Sequence, residues 1–189
     1  MADPYLEVVD RAAIEKRVGE LGRAIATDYE GLNPVLVGVL KGCVPFLADL
    51  SRAIEIPHEV DFLLLTRFGE KGRVSVAMDT AISLEGRHVL LVEGIVDSGL
   101  TLSTLLRSLS VRDVAEVKTV TLLDKVARRI VDVPVDYRGF EVGDEFLLGY
   151  GLDWRERYRN LPSLWAVMDM QRLSDLDATF PSVAFGDDS

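Results

Sequence analysis

Two carboxylates and a turn rich in hydroxyl groups follow one of the most apolar segments of the chain. The run HVLLV at 88–92 ends at Glu93, and Asp97 comes four residues later, directly before the turn at 98–101. Carboxylates in this position fit three kinds of chemistry: binding of sugar hydroxyls, coordination of a metal ion, or transfer of a proton. Acids that are simply solvated in a loop remain the alternative.

The turn at 98–101 has the composition of a phosphate-binding loop. Gly99 permits a backbone with positive φ, and Ser98 and Thr101 supply hydroxyl groups. A helical pattern follows, and a helix N-terminus directs unpaired N–H groups and a positive dipole end at the turn before it. An ordinary capped connection between a strand and a helix has the same spacing, and this alternative stays open.

Alternating strand and helix patterns must position these residues. Helices are predicted at 11–29, with Asp10 as the N-cap, at 45–54, and at about 102–109. Strands are predicted at 35–39, 60–66, 74–79, 88–92 and 117–124. The central strands are apolar throughout, which is typical of a parallel sheet covered on both faces. The predicted fold class is therefore α/β, with a mostly parallel central sheet and helices on both faces.

Three strand ends carry the residues that could bind a ligand. Ligands of open parallel sheets bind beyond the carboxyl ends of the strands. The three ends are Leu40-Lys41-Gly42, Glu93 to Thr101, and Asp124-Lys125. We expect these segments to meet at one edge of the sheet.

Length and composition predict one domain. The chain has 189 residues, of which 48% are hydrophobic and 28% charged, as in a globular protein with a sizeable core. We expect a single domain over 1–173, with a core formed by about 30–135 and 160–170. A small hood is expected from the N-terminal segment and 136–160, and the acidic residues 174–189 are expected to form a flexible tail.

Charge and hydropathy disfavour several classes of partner. The formal net charge is −10, which would repel nucleic acid, and the basic residues fall into small local groups such as Lys125/Arg128/Arg129 and Arg155/Arg157/Arg159. We interpret most of these groups as solvated surface, with a small anionic substrate as the alternative. No apolar stretch approaches the roughly 20 residues of a membrane span, and no signal peptide is recognisable. The cytoplasm is the expected location, and the single cysteine, Cys43, allows no internal disulfide.

The segment VLLVEGIVDSGLTL at 89–102 resembles the motif that binds phosphoribosyl diphosphate (PRPP) in type I phosphoribosyltransferases. It is most similar to the purine salvage branch, the hypoxanthine-guanine phosphoribosyltransferases. Segments 37–50, 119–129 and 136–162 resemble other parts of that branch in the same order. The resemblance implies the type I phosphoribosyltransferase fold, PRPP and a 6-oxopurine as substrates, Mg²⁺ as cofactor, and a homodimer or homotetramer.

The resemblance also implies roles for individual residues. The catalytic group would be Asp97 as acid or base at purine N7, Lys125 at the exocyclic oxygen, and Glu93 at the ribose hydroxyls. The 5′-phosphate would be held by Asp97, Ser98, Gly99, Leu100 and Thr101. Pyrophosphate would be held by Leu40, Lys41, Gly42 and Arg159, with a cis peptide before Lys41. The purine would be held by Lys125, Phe146, Leu147 and Asp153, and Mg²⁺ by Glu93 and Asp153. Without the resemblance, a surface lysine, a core phenylalanine and a simple turn would explain Lys125, Phe146 and Asp153.

Two departures from the family pattern predict altered behaviour. Gly94 stands where the family usually has a second acid, so we expect weaker PRPP binding or reliance on Glu93 alone. A lid is expected at 67–75, but Arg67-Phe68 stands near the usual Ser-Tyr pair. A catalytically weak homologue that binds nucleotides as a regulator is therefore the alternative to an enzyme. An RNA-binding regulator is disfavoured by the net charge of −10.

Overall fold

The computed structural model describes residues 4–68, 73–169 and 175–186. The helices in this part of the chain are α1 (Arg11–Asp28), α2 (Val44–Ala53), α3 (Leu100–Leu109) and α4 (Leu176–Phe185). The strands are β1 (Tyr5–Val9), β2 (Val35–Leu40), β3 (Glu59–Phe68), β4 (Arg73–Met78), β5 (His88–Val96), β6 (Glu116–Asp124), β7 (Tyr137–Glu141), β8 (Phe146–Leu148) and β9 (Leu164–Val167). The tip of the expected lid, 69–72, lies outside the described residues.

A six-stranded sheet forms the centre of the molecule and confirms the predicted α/β class. Its strand order is β4-β3-β2-β5-β6-β7, and every neighbouring pair is parallel except β3 with β4. Successive side chains of β2 enter two different cores, since Leu36 packs with α1 and α2 whereas Val35 and Val37 pack with α3. Burial on both faces explains why the central strands are apolar throughout.

Helix α1 begins as the sequence predicts. The side chain of Asp10 accepts a hydrogen bond from the backbone N–H of Ala13 at 2.7 Å, which caps the first turn. Its apolar residues Ile14, Val18 and Ile25 are buried against the sheet. None of the helices in the described parts of the chain is long and apolar enough to cross a membrane.

A second, three-stranded sheet with the order β1-β9-β8 forms the hood. The strands divide between core and hood differently from the expectation. Segment 137–141, expected in the hood, is β7 and pairs in parallel with β6 in the large sheet. Segment 164–167, expected in the core, is β9 and pairs with β1 in the small sheet. The reason is long-range pairing: β7 covers an edge of β6 that would otherwise be open, and β9 takes the N-terminal strand as its partner.

Part of the C-terminal segment that was expected to form a flexible tail is a packed helix. Residues 176–185 form α4, and Leu176 and Phe180 are fully buried in the core of the hood. Phe180 packs edge-on against Trp165 with 5.6 Å between ring centroids. Apolar residues are spread around this helix, so its sequence shows no clear helical period. Leu176 and Phe180 lie four residues apart on one helix face, and that face is buried in the hood.

Candidate active site

A cavity of about 620 Å³ opens at the carboxyl ends of β2 and β5, neighbouring strands of the large sheet. The site residues expected from the sequence that line it are Leu40, Lys41, Gly42, Glu93, Asp97, Ser98, Gly99, Thr101, Asp153 and Arg159. These residues come from three separate segments of the chain. The cavity therefore joins the segments predicted to bind phosphate, ribose and pyrophosphate.

Backbone contacts, most of them with residues 130–131, hold the turn between β5 and α3 in shape. Gly99 is the N-cap of α3 with φ of 81°, and a Cβ there would collide with the carbonyl oxygen of Val131. The carbonyl of Ser98 accepts hydrogen bonds from the N–H groups of Ile130 at 2.9 Å and Val131 at 3.1 Å. The side chain of Leu100 is exposed and does not line the cavity, so Leu100 contributes to the turn only through its backbone.

Asp97 is fixed by Arg128 and Arg129, two members of a basic group whose composition alone is typical of solvated surface. Arg128 Nε donates to Asp97 Oδ1 at 2.8 Å, and Arg129 donates to the main-chain oxygen of Asp97 at 2.7 Å. Arg129 also pairs with the buried carboxylate of Asp124, which Arg138 contacts at 2.6 Å. The cluster of basic residues after β6 was the only sequence signal for this network.

Glu93 and Gly94 lie within β5, at the floor of the cavity. Burial raises the pKa of Glu93 to about 8. A Cβ on Gly94 would lie 2.9 Å from the carbonyl oxygen of Gly42 and 3.4 Å from the backbone nitrogen of Cys43. Because Gly94 has no side chain, the turn after β2 can pack directly on β5. This packing is a structural reason for a glycine at position 94.

The other end of the cavity holds a cluster of charged side chains. The peptide bond between Leu40 and Lys41 is cis, as the resemblance led us to expect. Lys41 Nζ lies 3.0 Å from Glu156 Oε2, and Arg159 Nη2 lies 3.1 Å from the same oxygen. Arg159 also pairs with Asp153 at 2.8 Å. The Lys41 ammonium, followed by the Arg159 guanidinium, lowers the pKa of Glu156, which nothing in the sequence had marked.

Lys125 lies beside the cavity rather than in its lining. Its side chain is buried, and Nζ donates to the main-chain oxygen of Glu145 at 2.6 Å. Burial lowers the pKa of Lys125, and the nearby carboxylate of Asp97 partly offsets that effect. The ammonium group is therefore electrostatically coupled to the cavity through Asp97, although it does not border it.

Phe146 and Leu147 begin β8 in the hood, also outside the cavity lining. Phe146 is half-buried and packs edge-on against Trp154 with 5.6 Å between ring centroids. Leu147 is buried at 7% exposure, so only its backbone could meet a ligand. These two residues adjoin Glu145, the residue that holds Lys125, so three of the four expected purine-binding residues lie in one neighbourhood. The fourth, Asp153, lies in the cavity lining.

The carboxylates of the cavity fit a magnesium ion that is shared with a substrate. Glu93 and Asp153 both line the cavity. Within the described residues no group of three or more His, Cys, Asp or Glu side chains could hold a metal by itself. Mg²⁺ commonly takes one or two carboxylates and completes its coordination with water and phosphate oxygens. Glu93 and Asp153 would therefore supply only part of the coordination of such an ion.

Comparisons with known proteins identify the family that the sequence motifs resemble. Residues 4–155 match the family described as "Phosphoribosyl transferase domain". The chain is 44% identical over 159 residues to the hypoxanthine-guanine phosphoribosyltransferase of Bacillus subtilis, which covers 82% of this chain and 88% of the relative. A hypoxanthine-guanine phosphoribosyltransferase structure from Bacillus anthracis has a TM-score of 0.83 and 38% identity, and covers 86% of this chain and 98% of its own.

A further relative is much longer. The bifunctional protein TilS/HprT of Listeria monocytogenes is 46% identical over 159 residues, and the match covers 82% of this chain. This chain spans only 24% of that protein's length.

Proposed function

This chain belongs to the phosphoribosyltransferase family, and from that premise we propose that it transfers the 5-phosphoribosyl group of PRPP to a 6-oxopurine. Hypoxanthine would give IMP and guanine would give GMP, with release of pyrophosphate, which is a reaction of purine salvage. The observation that carries the proposal is the cavity that joins Asp97 and the 98–101 turn to Lys41 and Arg159. The names of the relatives support the choice of purine.

Charge at the reacting carbon determines what the protein must supply. Displacement of pyrophosphate from ribose C1′ leaves positive charge on the sugar and negative charge on the departing group. Lys41 and Arg159 would stabilise the departing charge, and their shared position in the cavity lining supports this role. The turn at 98–101 would hold the 5′-phosphate with backbone N–H groups and the hydroxyls of Ser98 and Thr101.

Asp97 is the group proposed to hold or accept the N7 proton of the purine. Its carboxylate lies at the cavity wall and is oriented by the Arg128 contact of 2.8 Å. Purine binding would use Lys125 for the exocyclic oxygen, the ring of Phe146 for stacking, and the backbone of Leu147 for the base edge. Lys125 would have to exchange the main-chain oxygen of Glu145 for the purine oxygen.

Glu93 and Asp153 would hold Mg²⁺ together with oxygens of PRPP. When bound, the ion would neutralise charge on the diphosphate and orient the ribose hydroxyls. With Gly94 beside it, Glu93 would be the only acid of β5 in this role. A homodimer or homotetramer in the cytoplasm completes the proposal, and light scattering of the purified chain would test the assembly.

The proposal is tested by incubating the full chain with PRPP, Mg²⁺ and hypoxanthine, guanine or xanthine and measuring pyrophosphate release. We expect release with hypoxanthine or guanine, and no release with any 6-oxopurine would overturn the proposal. Asp97→Asn is expected to reduce turnover far more than the affinity for PRPP. Tight binding of PRPP without turnover would instead favour the regulatory alternative. One argument for that alternative was Gly94, and the packing of Gly94 against Gly42 explains this glycine without any loss of activity.

A further inference from the structure

Glu156 lies at the pyrophosphate end of the cavity and has no role in the reaction described so far. A single oxygen of its carboxylate, Oε2, lies 3.0 Å from Lys41 Nζ and 3.1 Å from Arg159 Nη2. These cations are the two side chains proposed to receive the diphosphate of PRPP. One carboxylate oxygen thus contacts both of them at once.

The position of Glu156 is that of an anionic ligand oxygen. A diphosphate offers the same kind of group, a negatively charged oxygen that accepts charge-assisted hydrogen bonds. A diphosphate oxygen cannot occupy the point between Lys41 and Arg159 while Oε2 of Glu156 is there. The side chain is 64% exposed, so it can move into solvent without disturbing the core.

The local backbone brings Glu156 to this point. Its own φ is 67° and that of Arg155 is 49°, so the chain makes a tight left-handed turn here. The N–H of Glu156 donates to Asp153 Oδ2 at 2.9 Å, which ties the turn to the cavity wall. The contact with the two cations therefore depends on a defined turn and not on a freely extended side chain.

Removal of the carboxylate would leave one of the cations in place. Arg159 Nη1 donates to the carbonyl of Gly151 at 2.7 Å, and Nη2 contacts Asp153 at 2.8 Å. Arg159 thus keeps two partners without Glu156, so the loss of preorganisation is small. The gain in affinity for a diphosphate is larger than this loss, because neither cation must then be released from Glu156 before it contacts the ligand.

We propose that Glu156 occupies the diphosphate subsite in the free protein and competes with pyrophosphate and PRPP for Lys41 and Arg159. The inference rests on the proposed function and adds to it a residue that sets affinity for the diphosphate. Exposed ion pairs are individually weak, so the competition changes affinity by about two- to fivefold and does not close the site.

The test compares Glu156→Gln with the wild-type chain by calorimetric titration of inorganic pyrophosphate in the presence of Mg²⁺. The matched control is Glu15→Gln, since Glu15 is also exposed and pairs with Arg11 at 2.6 Å, but it lies on α1 away from the cavity. Both variants change the net charge equally. We expect about two- to fivefold tighter pyrophosphate binding by Glu156→Gln and unchanged binding by Glu15→Gln.

A second readout separates competition from a merely structural role. Glu156→Gln is expected to lower KM for PRPP by the same factor and to leave KM for hypoxanthine unchanged, and Glu156→Ala should behave alike. Equal or weaker pyrophosphate binding by both variants overturns the inference. Absence of pyrophosphate binding in every chain overturns the subsite itself. Tighter binding by Glu156→Gln in a chain that transfers no phosphoribosyl group supports the inference and overturns the proposed function alone.

Discussion

The two ends of the cavity are held in shape by different kinds of interaction. The phosphate end, 97–101, is fixed by backbone hydrogen bonds from 130–131 and by a network of arginines around a buried carboxylate. The pyrophosphate end is held by exposed ion pairs among Lys41, Glu156 and Arg159. The first end is formed without any ligand, whereas the second must exchange partners when a ligand arrives.

This difference matches what each end is proposed to do. A 5′-phosphate stays on the ribose throughout the reaction, so a rigid cradle of backbone groups costs little reorganisation. A diphosphate is cleaved from C1′ and must leave, so weak and exchangeable contacts suit its subsite. The comparison can be tested by changing one contact at a time at each end.

The largest effect is expected from Asp124→Asn, at the phosphate end. Asp124 is fully buried between Arg129 and Arg138, and loss of its charge removes the buried carboxylate that both arginines share. Breaking a buried pair on one side typically costs about 3–5 kcal/mol of unfolding free energy. Urea unfolding measures this loss.

Asp79→Asn is the control for that change. Asp79 pairs with Arg112 at 2.7 Å, but its side chain is 52% exposed. An exposed pair contributes about 0–1 kcal/mol. Equal losses in the two variants would contradict the claim that the phosphate end is held by a buried network.

Gly99→Ala is expected to have the next largest effect. A side chain at φ of 81° costs about 1–2 kcal/mol, and the added Cβ also collides with Val131. We therefore expect the turn to shift and the affinity for PRPP to fall by about tenfold or more, since about 1.4 kcal/mol corresponds to one factor of ten. Calorimetric titration with PRPP measures this.

Gly86→Ala separates backbone strain from the collision. Gly86 has φ of 68°, but a Cβ there has no neighbour within 4 Å. We expect a similar loss of stability with unchanged affinity for PRPP. If Gly99→Ala also retained full affinity, the turn at 98–101 would not be the phosphate cradle.

Gly94→Ala tests how closely the pyrophosphate end depends on β5. The new methyl group would push on the carbonyl of Gly42, and overpacking of this kind costs about 1–3 kcal/mol. Displacement of the turn that carries Lys41 is expected to weaken pyrophosphate binding several-fold. Gly94→Asp has the same Cβ, so it is expected not to tighten PRPP binding. Tighter binding by Gly94→Asp would show that the added carboxylate outweighs the steric effect.

The smallest effect is expected at Cys43, which follows the pyrophosphate turn. Its thiol is fully buried, and burial raises its pKa to about 12, so the thiol stays protonated and unreactive at pH 8. We expect no measurable alkylation by iodoacetamide in the folded chain and full alkylation in urea, as measured by mass spectrometry. Rapid labelling without denaturant would show that the turn after β2 opens far enough to expose Cys43, so that more than the exposed ion pairs of the pyrophosphate end is mobile.

Local sequence was sufficient for the elements that carry the cavity. The apolar strands, the glycine turn before α3 and the cap at Asp10 each depend on residues close together in the chain, and the structure has all of them. The hood could not be derived in this way. Its sheet pairs Tyr5–Val9 with Leu164–Val167, and α4 is ordered by burial against that sheet. Pairing over such separations leaves no local period to detect.

The sequence alone determined the α/β class and placed Asp97 and the 98–101 turn after a strand, because side-chain periodicity and turn chemistry are local properties. Glu93 was expected after the same strand, but β5 continues to Val96, so Glu93 lies within it. Only the tertiary structure decided that Arg128 binds Asp97 and that Glu156 lies between two cations. It also showed that Gly94 is required for packing, since the atoms that exclude a side chain there belong to the turn at Gly42, a remote part of the chain. Ion pairs and close backbone contacts depend on distances between remote segments, and those distances exist only in the folded chain.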